Sequence, residues 1–153
     1  ALGATLHFDG SKLTFGQTDT ERTLLTLHGD AQGERIVAVG GSQSGEIREL
    51  TDGVWTDVTP AGTRQMLGVN VGESGLAVAV GDGATTMRRG EEGWFTESNG
   101  LRAVNDLTFH AVWVDAEDNA WAVGGSLLVP PFERGMVAFY GSSTPPSQIV
   151  NGR

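Results

Sequence analysis

The chain has 153 residues, with 19 acidic against 10 basic side chains, a net charge of −9 and a pI near 4.6. That balance excludes the basic footprint a nucleic-acid partner needs and the basic clusters that hold a protein to anionic lipid. The absence of cysteine excludes a disulfide framework, a thiol nucleophile, a zinc–cysteine site and c-type haem attachment.

No run approaches the roughly 18 consecutive apolar residues of a membrane helix, so direct membrane insertion is not expected. Residues 1–7 show neither the basic nor the apolar region of a leader peptide. The 23 glycines are about twice the average share, which points to many tight turns between short strands.

In chain order, residues 4–8 alternate as a strand, Asp9-Gly10 is a hairpin signal, and Leu13 to Phe15 is a second strand. A polar loop follows at 16–22. Strands are expected at 24–29, 35–39, 46–50 and 54–58, separated by turns at Asp30 to Gly33, Gly40 to Gly45 and Asp52-Gly53. A second set is expected at 67–71, 76–80, 85–89 and 94–96. A third is expected at 109–114, 120–123 and 136–140, interrupted by an insertion from Leu127 to Arg134 that holds Pro130-Pro131. Residues 142–153 read as a C-terminal extension. No segment longer than about ten residues shows a capped 3.6-residue period, so helix content should be near zero.

One phrase recurs. Val37-Ala38-Val39-Gly40 returns as Val78-Ala79-Val80-Gly81 and as Trp121-Ala122-Val123-Gly124, so the glycine falls at 40, 81 and 124, at spacings of 41 and 43. A period in this range, holding four short strands, is that of one β-propeller blade. The expected fold is therefore all-β: a propeller arc of about three to four four-stranded antiparallel blades. Residues 1–141 divide into a partial blade at 1–15, blades at 24–58 and 67–96, and a partial blade at 107–141. Thirteen strands are too few for the four to eight blades of a closed ring. The arc is expected to be part of a larger propeller, completed by another polypeptide or by a further N-terminal part; a compact four-blade monomer is the alternative.

The unit of inner strand, Asp-rich turn, Ala-Val-Gly, strand and Asp-Gly-x-Trp resembles the neuraminidase-type, Asp-box-like repeats of bacterial propellers, including the photosystem II assembly-factor family. Asp52-Gly53-Val54-Trp55, Gly81-Asp82-Gly83 and Gly93-Trp94 carry the resemblance, with Asp9-Gly10-Ser11 a weaker copy. A full sialidase box, Ser-x-Asp-x-Gly-x-x-Trp, is complete in none of them. The resemblance implies a propeller fold and a periplasmic or extracellular location.

Candidate site residues follow from position. His7, Arg48 and Arg88 are spaced by 41 and 40, each beside an apolar neighbour (Leu6, Ile47, Met87), and Arg89 adjoins them. Together they would form a basic rim for a carboxylate or an acidic partner segment. His7, His28 and His110 fall in different sets and read as ordinary strand histidines, and Asp115 to Asn119 reads as a turn that lacks the glycine and distal glutamate of a calcium loop. Trp55, Trp94, Trp113 and Trp121 read as packing residues between neighbouring sheets. No catalytic motif, phosphate loop, metal site or cofactor is indicated. The expected function is a non-catalytic propeller module for protein–protein interaction or complex assembly. The alternative is a fragment of a glycan-active, sialidase-like or lyase propeller enzyme with its catalytic residues mainly elsewhere. A third reading, by family analogy, is a cofactor-carrying subunit of an electron-transfer or photosynthetic complex.

Overall fold

A computed structural model describes residues 3–97, 107–126 and 134–142. Most of the proline-bearing insertion and nearly all of the C-terminal extension lie outside them. The described chain is all-β, and its only helical element is a three-residue 3₁₀ turn at Asp82–Ala84. Among the described residues thirteen strands form four antiparallel sheets, each a meander in which every strand pairs with its neighbour in sequence. The first sheet holds β1 (Ala4–Phe8) and β2 (Leu13–Gln17). The second holds β3 (Leu24–Gly29), β4 (Arg35–Gly41), β5 (Gly45–Thr51) and β6 (Val54–Asp57). The third holds β7 (Met66–Val71), β8 (Ala77–Gly81), β9 (Thr86–Gly90) and β10 (Gly93–Thr96). The fourth holds β11 (Thr108–Val114), β12 (Ala120–Gly125) and β13 (Gly135–Tyr140).

Local chemistry explains where the strands turn. Asp52 and Gly53 both take positive φ, 53° and 77°, as a two-residue hairpin between twisted strands requires. Asp9, Asp30 and Asp115 each fold the chain by accepting backbone N–H groups on a side-chain carboxylate. Asp9 takes Ser11 and Lys12, Asp30 takes Glu34 and Arg35, and Asp115 takes Glu117 and Asn119.

The glycine after each Ala-Val pair has a steric cause. β3, β7 and β11 each carry a bulge near their start, opposite Gly40, Gly81 and Gly124. A Cβ at any of these glycines would lie 2.0 Å from a backbone carbonyl oxygen, of Thr23, Gln65 and Thr108 respectively. Only glycine lets the two backbones approach that closely.

The pleat then divides the packing. On β8, Ala77 and Ala79 face the second sheet, in a core with Val37, Val39, Ile47, Met87 and Trp94. Val78 and Val80 face the fourth sheet, in a core with Phe109, Val114, Ala120 and Ala122. The third sheet is thus covered on both faces, and all five residues of β8 are buried. Each such valine contributes roughly 1.5–3 kcal/mol by leaving water, which is why β8 is continuously apolar rather than alternating.

The first sheet departs from this arrangement. Of the three apolar neighbours of the candidate site residues, Ile47 and Met87 are buried, whereas Leu6 is 64% exposed. Among the described residues β1 and β2 pair only with each other, so no inner strand lies beside them to complete a core.

Candidate functional site

The four candidate residues are not brought together. His7 is an exposed residue of β1, opposite Thr14. Arg48 lies opposite Ala38. Arg88 lies opposite Val78, and so on the face of the third sheet that looks to the fourth. Arg48 and Arg88 therefore point to opposite sides of their sheets. β4 and β5 join through a longer turn than β8 and β9. Val39 pairs with Ile47 but Val80 with Thr86, so the residue that corresponds to Arg48 is Met87, and Arg88 corresponds to Glu49. With a side-chain period of two, a one-residue difference reverses the face.

Arg22, Arg48, Arg88 and Arg89 are paired with carboxylates. Arg48 donates from Nε to Glu46 at 2.6 Å and from Nη2 to Asp57 at 3.2 Å, while Arg22 reaches the other Glu46 oxygen at 3.1 Å. Glu46 is buried, so two guanidinium groups neutralise one desolvated carboxylate. Arg89 donates to Glu49 Oε1 at 2.7 Å, and the Trp94 indole donates to the same oxygen at 2.7 Å. This cluster ties the second sheet to the third. Arg88 sits 3.7 Å from Glu97.

Three carboxylates respond to their turns: the Lys12 and Ser11 N–H groups hold Asp9 below its ordinary value, and Asp57 and Asp115 are held down in the same direction. Desolvation pushes Asp57 upward, but the hydroxyl and N–H of Thr59 and the Arg48 charge outweigh it and hold the group below its ordinary value. At Asp115 desolvation acts the same way and is outweighed by hydrogen bonds from the Asn119 side chain and N–H, the Trp121 indole and the Glu117 N–H.

Two backbone clasps join neighbouring sheets. His28 Nδ1 accepts the Val71 N–H at 3.1 Å, and Asn70 Oδ1 accepts the Val114 N–H at 3.0 Å. His28 and Asn70 hold corresponding places, one residue before the end of the first strand of their sheets. Sequence reading missed them, because a histidine and an asparagine share no pattern beyond an acceptor at one register position. The three histidines do not converge, and among the described residues no group of three or more His, Cys, Asp or Glu is placed to hold a metal ion. No helix among the described residues is long and apolar enough to cross a membrane.

The tryptophans divide. Trp94 is buried between sheets as expected, whereas Trp113 is 59% exposed. Trp113, Trp121 and Phe139 lie in one cross-strand row, with the rings of Trp121 and Phe139 4.6 Å apart, and Ala111, Val123 and Val137 form a second row on the same face. That face is turned away from the core the fourth sheet shares with the third. Val137 is 70% exposed and Val123 46%. At the other end, Leu6 lies opposite Phe15 and Phe8 opposite Leu13, so four large apolar residues share one face of the first sheet. Their exposures run from 49% to 75%. Between the first and second sheets is a groove of about 1220 Å³ lined in part by Leu6, Leu25, Leu27, Ile36, Leu50 and Trp55.

Comparisons with family models, with curated proteins and with solved structures return no match for this chain. Its function is therefore read from its surfaces.

Proposed function

We propose that the chain is a non-catalytic arc of a β-propeller, a module for protein–protein interaction whose ring is completed by further polypeptide. The sheets correspond to blades: two of four strands, flanked by one of two and one of three. The observation that carries this reading is the uncovered apolar face of the fourth sheet, with Trp113, Val123 and Val137 exposed at one end of the sheet series. Soluble proteins seldom expose such contiguous apolar surface unless a partner covers it. The inner sheets of this chain cover faces of the same kind with another sheet. The candidate arginines fit a structural role here, since Arg48 and Arg89 are consumed by Glu46 and Glu49 rather than presented to a ligand.

Single-particle imaging of the assembly that contains this chain tests the proposal. The expected result is a closed toroid in which these four sheets are consecutive sectors. A sandwich or a barrel would refute it.

A further inference from the structure

We propose that a slot between the third and fourth sheets binds a small amphipathic cation: an amine with a flat or unbranched apolar body, its ammonium group on Glu97. Such a site is independent of the arc reading and would stand in a ring of any size.

The seam between the second and third sheets is filled. Ile47 and Val58 enter it from one side, Met87 and Trp94 from the other. Arg89 and Glu49 close its edge at 2.7 Å. Register gives the counterparts in the next seam. Val39 and Val80 each precede a bulge glycine, so their partners Ile47 and Thr86 correspond. Ala79 and Ala122 lie two residues before Gly81 and Gly124, so their partners Met87 and Ala138 correspond. Val58 donates its N–H to the Ile47 carbonyl as Glu97 does to that of Thr86, so Val58 and Glu97 correspond. Three apolar side chains that fill one seam are therefore a threonine, an alanine and a carboxylate in the other.

The space left is a slot of about 420 Å³, within the range of small-molecule sites. Its walls are Val78 and Val80 on the third sheet and Ala120, Ala122, Met136 and Ala138 on the fourth. Packed sheets lie about 10 Å apart, so short side chains on both faces leave a narrow gap that suits a ring or a straight chain. The edge is not latched as in the filled seam. Arg88 and Tyr140 stand where Glu49 and Arg89 stand there. Both instead reach Glu97 Oε1, and neither closely: Arg88 Nη1 at 3.7 Å and the Tyr140 hydroxyl at 3.5 Å. The Glu97 side chain is 19% exposed. A largely withdrawn carboxylate with two long contacts is an acceptor for a closer, charge-assisted donor. A net charge of −9 favours a cation in that role.

Methyl-resolved NMR of the chain, titrated with phenethylamine, phenethyl alcohol and hydrocinnamate, tests this. The three probes share one body and differ in charge. The amine should shift the methyl signals of Val78, Val80, Ala120 and Ala122, with a dissociation constant of about 1 mM or below. It should bind about tenfold more tightly than the alcohol, and Glu97→Gln should abolish that preference. Ala138→Met supplies the side chain that fills the other seam; it should end binding of every probe and leave the circular dichroism spectrum unchanged. Slot methyls indifferent to all three probes overturn the proposal, the slot then being filled by the chain itself. So do amine and alcohol binding alike, an amine preference that survives Glu97→Gln, or tighter binding of hydrocinnamate, which would place the anchor at Arg88.

Discussion

Replacing Glu49 by alanine removes the single oxygen that accepts both Arg89 Nε and Trp94 Nε1. The Glu49 side chain is 7% exposed and that of Arg89 27%. Breaking a buried pair by deleting one partner costs about 3–5 kcal/mol, because the other charge is left uncompensated. Arg89 keeps some solvent, which lowers that cost, while the stranded indole N–H adds about 1–3 kcal/mol. The expected loss is about 3 kcal/mol, or roughly 6–12 °C in Tm for a chain of this size. By contrast, Arg88→Ala, which removes a 3.7 Å contact from a side chain 40% exposed, should cost under about 1 kcal/mol. Glu49→Leu combined with Arg89→Met should recover most of the loss, since an apolar pair of similar volume avoids the desolvation of two charges. Urea unfolding followed by tryptophan fluorescence measures all three. If Glu49→Ala lies within about 0.5 kcal/mol of the wild type, the range of an ordinary surface substitution, the cluster does not hold the two sheets together.

Two further outcomes are expected. Gly81→Ala places a Cβ 2.0 Å from the Gln65 carbonyl oxygen, a backbone atom that cannot swing aside, and should cost about 3 kcal/mol or more in chemical unfolding; a neutral effect would show that the bulge opposite it can relax. Asp115 is held below its unfolded value of about 3.9, so its contribution is present above that pH and is lost as pH falls through the lower folded value. Asp115→Asn should therefore lower Tm at pH 7, with the gap to wild type closing as the pH falls below about 4; a gap that persists at pH 2 refutes the assignment.

The strands were legible because their ends are marked chemically. Asp52-Gly53 supplies two positive-φ residues, and Asp30 and Asp115 cap turns with their own carboxylates. The Ala-Val-Gly phrase marked the second strand of each inner sheet, because the glycine is sterically required there. What the sequence hid was parity. The connection before β9 is two residues shorter than that before β5, so the true counterpart of Arg48 is Met87, 39 residues on. A count of forty lands one residue further and on the other face, so two arginines read as neighbours on a rim look to opposite sides. The exposed role of Trp113 was hidden for a related reason. An alternating strand does not say which of its faces a neighbour covers, and the tryptophan itself has no label for inside or outside.

Because every strand pairs with the one just before or after it, a consequence follows for the order of assembly. Hairpins closed by a few residues form within microseconds, so each meander can organise without waiting for distant chain. The slow event is face-to-face docking, where groups such as His28 and the Val71 amide, 43 residues apart, first meet. Refolding kinetics of the molecule should accordingly report on those seams and not on the ladders.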